Sequence, residues 1–201
     1  MKMKQVVLDG SHDTRELRNA LGRFPTGVTV ITTRTQSGKL EGLTANSFSA
    51  LSLDPPLVLW SISRKSMSVP GFIEAGHFAI NVLRSGQSAI SHHFAINVLR
   101  AAQTELSHRF ATPRENKFEN LPIRAGLHGV PLLDGVLASF ECQTETTIEG
   151  GDHLLFVGRV HRIGYGDGEP LIFNAGQYAT ALPLRKPSAQ SDVDGVWDGL
   201  G

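Results

Sequence analysis

Three short stretches of the 201-residue chain concentrate side chains that can do chemistry. Gly42-Leu43-Thr44-Ala45-Asn46-Ser47-Phe48 closes a strand-like run with small hydrogen-bonding groups. Hydroxyls, an amide and open backbone in such a shelf can read the polar edge of a planar heterocycle. The same residue types also make ordinary turns, with Asn46 and Ser47 bonding their own backbone. Ser61-Ile62-Ser63-Arg64-Lys65-Ser66 sets two cations and three hydroxyls ahead of a helix start. Cations and N–H groups together suit a phosphate, although a serine cap beside solvated charges has the same composition. Gly151-Asp152-His153 opens an alternating strand, and reads either as a ligand-facing triplet or as a hairpin turn with a solvent-facing histidine.

Other chemistries lack their residues. No G-x-G-x-x-G follows a strand, and Gly164-Tyr165-Gly166-Asp167-Gly168 has the spacing of a turn. Walker loop, serine nucleophile elbow and zinc-protease helix are all missing from the sequence.

The elements that must hold the three stretches are mostly strands. Asp13-Thr14-Arg15-Glu16 reads as a capping box, and Leu17, Leu21 and Phe24 recur at helical spacing behind it. Gly27–Thr33 is β-branched and alternating, and Gln36-Ser37-Gly38-Lys39 turns it into a hairpin with a strand near Glu41–Ala45. Ser47–Leu53 alternates, with Phe48, Ala50 and Ser52 expected on one face, until Asp54-Pro55-Pro56 breaks it. Leu57–Ser63 is an apolar, central strand, and Met67–Gly76 a short helix with Gly76 as left-handed cap. Further strands fall near Val136–Thr146, Leu154–Ile163 and Pro170–Phe173. Many short strands and few helices imply a mainly β protein built as an antiparallel barrel.

One feature is unusual. Residues 77–92 (HFAINVLRSGQSAISH) are followed at once by 93–108 (HFAINVLRAAQTELSH), so one strand-plus-helix-start unit is duplicated in tandem. Two copies fall short of the three or so that a solenoid needs, and a barrel has one slot for the strand. Ala101, Ala102, Gln103, Glu105 and Leu106 are better helix formers than Ser85 and Gly86, which favours the second copy as the ancestral unit. His77, His92, His93 and His108 are then two ordinary histidines counted twice, and no metal site is expected.

Lys and Arg total 19 and Asp and Glu total 19, so no basic field attracts nucleic acid. The single cysteine, Cys142, excludes an intrachain disulfide, reads as core packing and fits a reducing compartment. No signal-like segment and no run of about 20 apolar residues is present, so a cytoplasmic protein that does not cross a membrane is expected. Residues 1–185 read as one domain carrying the duplication, and 186–201 as a polar tail.

LGRFPTGVTVITT, then GLTANSFSALSLDPPLVLWSI, then the Gly-Asp-His triplet leading into LLFVGRV, and finally PLIFNAGQY resemble the flavin reductase family in order and spacing, over about residues 14–178. Members serve as the reductase component of two-component flavin monooxygenases. The extra 16-residue copy departs from the family pattern, as does the tail beyond Tyr178.

The resemblance implies a split β-barrel with Greek-key connections and a few short flanking helices, working as a homodimer. It implies NAD(P)H-dependent hydride transfer to FMN or FAD, with reduced flavin supplied to an oxygenase partner. Carried over by position, Thr44, Ala45, Asn46 and Ser47 would contact the ring and ribityl chain, and Ser61, Lys65 and Ser66 the phosphate. Asn81 or Asn97, whichever copy fills the slot, would sit beside the flavin. Asp152 and His153 would serve the nicotinamide, and Lys117-Phe118 resembles a loop approaching the cofactor. A pyridoxamine-phosphate-oxidase-like enzyme and a non-catalytic flavin-binding module are the alternatives on the same barrel.

Overall fold

The computed structural model describes Gln5 and residues 14–85 and 96–181, with side chains of 96–103 excepted. A seven-stranded antiparallel sheet carries the architecture, in the order β3-β2-β6-β9-β10-β5-β4. Its strands are β2 (Thr29–Arg34), β3 (Leu40–Ala45), β4 (Ser49–Ser52), β5 (Leu57–Ser63), β6 (His77–Val82), β9 (Ala138–Gly150) and β10 (His153–Tyr165). Two small sheets, β1 (Thr26–Gly27) with β11 (Leu171–Asn174) and β12 (Gln177–Thr180), and β7 (Ile123–Ala125) with β8 (Pro131–Leu133), flank it.

Connectivity alone requires the large sheet to curl. β3 and β4 occupy its opposite edges, yet only residues 46–48 separate them. The four steps from Ala45 to Ser49 span at most ~14 Å at ~3.5 Å per residue. The two edges must therefore meet, and the sheet becomes a split barrel.

Inside it, the apolar face of β5 meets β6, β10 and α2 (Val69–Ala75). Trp60 stacks on Phe156 at 4.8 Å and meets Phe72 and Phe78 edge-on at 5.0 and 5.6 Å. All four rings are sealed from solvent, and each contributes about 1.5–3 kcal/mol by burial. Gly158 faces Phe78 so closely that a β-carbon would overlap the ring, which explains a glycine in mid-strand. Cys142 is buried in the same cluster, as expected for a packing residue.

Most sequence expectations hold. The hairpin of β2 and β3 and Gly76 as the left-handed cap of α2 (φ 64°) are present, whereas β5, expected to be central, lies one place from the sheet edge, between β10 and β4. The β4 stretch differs: a bulge between Ala50 and Ser52 breaks the alternation, leaving Ala50 exposed while Phe48 and Ser52 are half-buried. Helix α1 (Thr14–Leu21) forms but buries no residue, so its stripe, Leu17, Leu21 and Phe24, faces outward. Asp13 of the capping box and the tail 186–201 lie outside the described residues.

The duplicated octapeptide adopts two conformations. In the first copy His77–Val82 is strand β6, whereas in the second Ile96–Arg100 begins helix α3 (Ile96–Ala111). The first copy thus fills the slot, and the second supplies the helix that its composition predicts. Leu106 and Phe110 of α3 pack with Leu83 under the sheet. Of the repeated histidines, His77 stacks on His128 at 3.8 Å and His108 meets Tyr178 edge-on at 5.3 Å; His92 and His93 lie outside the described residues. No described helix is long and apolar enough to cross a membrane.

Candidate functional site

Closure of the barrel creates the first junction. Where β3 leaves the sheet, the Ser47 hydroxyl accepts the Ser61 N–H at 3.0 Å and donates to the Ser61 carbonyl at 3.1 Å. The shelf is thereby clipped to the strand that ends in the basic turn. Behind it, the Thr44 hydroxyl donates to the Ser107 carbonyl on α3. The Ser107 hydroxyl accepts from Tyr178 on β12 at 2.8 Å. Ala45 is buried and its carbonyl accepts the Thr29 hydroxyl at 2.8 Å. Asn46 is the shelf side chain left facing solvent.

Hairpin pairing creates the second junction. Gly151 and Asp152 link the paired residues Gly150 and His153, and Gly151 takes φ 65° at the first turn position, where glycine is required. His153 then pairs with Ser63 across β5, and the Arg64 N–H donates to the Asp152 carbonyl at 2.9 Å. Arg64 also reaches Glu149 at 3.0 Å. The exposed Lys65 ammonium has no hydrogen-bond partner among the described residues, so it is the free cation of this corner. Ser66 accepts the Ser68 N–H at 3.4 Å.

Asp152 Oδ1 lies 2.7 Å from His153 Nδ1. That hydrogen bond, then the electrostatic pull of the neighbouring imidazole, with a smaller push from Lys65, holds the Asp152 carboxyl below the usual carboxylate range. Asp152 therefore stays ionised and fixes the ring of His153 through Nδ1.

The Ser47–Ser61 clip, the Ser63–His153 pairing and the Arg64–Asp152 bond thus bring the segments 44–47, 61–66 and 152–153 to neighbouring positions along one rim, the ledge. It is an open rim; the two described concavities of the single chain are lined by other residues, one by His77 and His128, the other by Arg124 and Arg162.

Residues 21–182 match the family of flavin reductase like domains. The chain belongs to that family. The FMN reductase (NADH) SmoA of Agrobacterium fabrum is 40% identical over 178 residues, spanning 89% of this chain and 92% of its own. The reductase component of the trigonelline monooxygenase of Acinetobacter baylyi is 37% identical over 86% of this chain, which spans only 51% of that longer protein. Among solved structures, the NADH:FAD oxidoreductase SgcE6 of Streptomyces globisporus superposes with a TM-score of 0.75 at 30% identity, covering 90% of this chain and 100% of that one. SgcE6 has also been solved with NAD and FAD fragments.

Of the two asparagines, one of which is expected beside the flavin, Asn81 belongs to the copy that fills the slot. Asn81 is completely buried in β6. Its amide nitrogen donates to the Val30 carbonyl at 3.1 Å and to the Thr32 hydroxyl at 3.2 Å, and its oxygen accepts the Leu133 N–H at 3.0 Å. These bonds pin β2 and β8 to β6. Asn97 falls in the first turn of α3, and its side chain is outside the described residues.

Lys117 closes the back of the shelf. Its ammonium donates to the carbonyls of Gly42 and Phe110 at 3.1 and 3.0 Å, and burial pushes its pKa below the ordinary lysine value, against a small pull from Glu41. Phe118 packs on Phe110 at 5.1 Å, and both rings press on Gly42. Sequence reasoning missed Ser107, because nothing local distinguishes a helical serine whose carbonyl holds a threonine 63 residues away.

Proposed function

We propose that this NAD(P)H-dependent flavin reductase binds FMN or FAD along the ledge, ring on the Thr44–Ser47 shelf and phosphate at Ser61, Lys65 and Ser66, with the nicotinamide held from the side of Asp152 and His153. The Ser47–Ser61 clip carries this reading, because it brings the shelf and the cationic turn, 14 residues apart in sequence, into contact.

The donor set fits a flavin. Asn46 offers an exposed amide to the ring edge, and Lys65 supplies an uncommitted cation for a phosphate. When bound, the flavin accepts a hydride from the reduced nicotinamide, and the chain's own residues bind and orient. The Ser47 clip fixes where the shelf lies, and Asp152 fixes the His153 ring, so that the two ligands can meet at the ~3–3.5 Å needed for transfer. No side chain on the ledge has to abstract a proton from carbon, consistent with the lack of a triad or paired carboxylates there.

An open rim is half a site. A second copy of the chain would close it, with the exposed Leu53, Met67 and Tyr165 available for contact; light scattering should return twice the chain mass. Relatives named as reductase components of monooxygenases support a flavin-dependent oxygenase as the consumer of reduced flavin. A buried lone cysteine suits work in the cytoplasm.

The deciding assay offers purified protein NADH or NADPH with added FMN or FAD in all four pairings and follows nicotinamide oxidation. Turnover that depends on added flavin is expected. Flavin binding without nicotinamide oxidation would favour a non-catalytic module, and oxygen uptake driven by an amine would favour an oxidase.

A further inference from the structure

We propose that the β6 slot is contested: residues 93–100 can replace the identical residues 77–84 as the strand, sliding the chain by one 16-residue repeat. The exchange is a conformational device written into the tandem copy.

Core contacts do not choose between the copies. Phe78, Ile80, Asn81 and Leu83 are buried in the slot, and Phe94, Ile96, Asn97 and Leu99 would present the same side chains in the same order. The Asn81 hydrogen bonds to Val30, Thr32 and Leu133 would be remade by Asn97 without change of type.

The first difference falls at the ninth residue, and it favours the second copy. Ser85 is buried, and its hydroxyl finds no partner among the described residues. A buried unsatisfied hydroxyl is a standing cost, and the second copy places Ala101 there. A second conflict lies in α3, whose first turn holds the β-branched Ile96 and Val98, better suited to a strand. Against these stand the helical turn α3 would give up and the direct step from Gly76 into β6. Loop length weighs little, since closure entropy grows only as the logarithm of length.

In the slid arrangement Ala101 takes the Ser85 position, and the five steps from Ala101 to Leu106, at most ~17 Å of extended chain, join β6 to the retained part of α3. Leu106, Ser107 and Phe110, the residues of α3 that pack on the barrel or hold Thr44, keep their places in both arrangements.

Thermal midpoints of the full chain test the exchange without flavin or nicotinamide, so loss of reductase activity cannot be mistaken for its failure. Phe78→Ala and Phe94→Ala should each melt close to the parent, because the intact copy takes the slot. The double variant should fall by about 6–20 °C, the effect of one buried Phe→Ala in a chain of this size. Deleting residues 77–92 should leave a cooperatively folded protein. A fall as large in either single variant alone, no fall in the double variant, or an unfolded deletion protein overturns the proposal.

Discussion

The Ser47 hydroxyl does for Ser61 what a neighbouring strand would do, satisfying both its N–H and its carbonyl. β4 pairs with β5 from Ser49 opposite Leu59, and two residues further the main chain has turned toward β3. The side chain therefore continues the ladder by one rung and seals the barrel seam.

Ser47→Ala removes that rung and leaves two half-buried backbone groups unpaired. The expected loss is about 1–3 kcal/mol, or roughly 2–12 °C in melting temperature, with weaker flavin binding because the shelf is no longer tied to the basic turn. Scanning calorimetry and fluorescence titration with FMN measure the two effects. A variant that melts and binds like the parent would show that the clip is incidental.

His153→Ala separates the two ligands. The imidazole sits on the hairpin side of the ledge, away from the Thr44 shelf, so the Michaelis constant for the nicotinamide should rise by about tenfold, equivalent to ~1.4 kcal/mol, while that for flavin stays near the parent value. Asp152→Asn should move the same constant in the same direction by less, since it loosens the ring without removing it. Equal changes for both ligands in steady-state kinetics would remove His153 from the nicotinamide side.

How much of this could be read beforehand depends on the range of the interaction. β2, β3, β5 and the cap at Gly76 were legible because alternation, turn residues and a left-handed glycine act within a few positions. The short strands β7, β8 and β12 were not, since three or four residues carry too little pattern. Within the site, residue types at Thr44–Ser47, Ser61–Ser66 and Gly151–His153 announced the ledge, and motif order supplied the ligand. The joints could not be read: Ser47 to Ser61 and Arg64 to Asp152 exist only once the sheet closes. The pinning role of Asn81 was hidden for the same reason, because its partners in β2 and β8 lie 49 to 52 residues away. In the repeat, identical residues take strand and helix, so local sequence cannot decide and tertiary context does.

Acid should unlock a second joint. Glu141 is almost fully buried in β9, where it accepts from Arg162 at 2.7 Å and from the Leu127 N–H. Burial pushes its pKa up, but the Arg162 hydrogen bond, the Leu127 N–H and the charges of Arg162 and Arg124 outweigh it, and the carboxyl ends below the ordinary glutamate value. A carboxyl more acidic in the fold than in the unfolded chain stabilises the fold when ionised. That contribution is complete above the ordinary value of about 4.3 and drains as pH falls through the lower folded one. Glu141→Gln should cost about 1–3 kcal/mol at neutral pH, and urea denaturation should show the gap from the parent narrowing in acid. A gap that is constant with pH would mean the ion pair adds nothing.

Cys142 reports on the strand that the repeat contests. It is 4% exposed, pairs with Phe78 across β6 and β9, and burial, then the nearby Glu141 charge, pushes its thiol up to about 12. Only the thiolate attacks a disulfide reagent, so the native protein should resist thiol labelling at mildly alkaline pH, while the unfolded chain, with an ordinary thiol near 8.5, reacts at once. Labelling then proceeds through opening of the β6–β9 pair, and its rate reads how often that pair parts. Gly158→Ala, which forces a methyl against the Phe78 ring, should lower stability by about 1–3 kcal/mol and speed labelling by roughly the corresponding five- to 150-fold. Rapid modification of the folded parent would show that β6 leaves β9 without global unfolding.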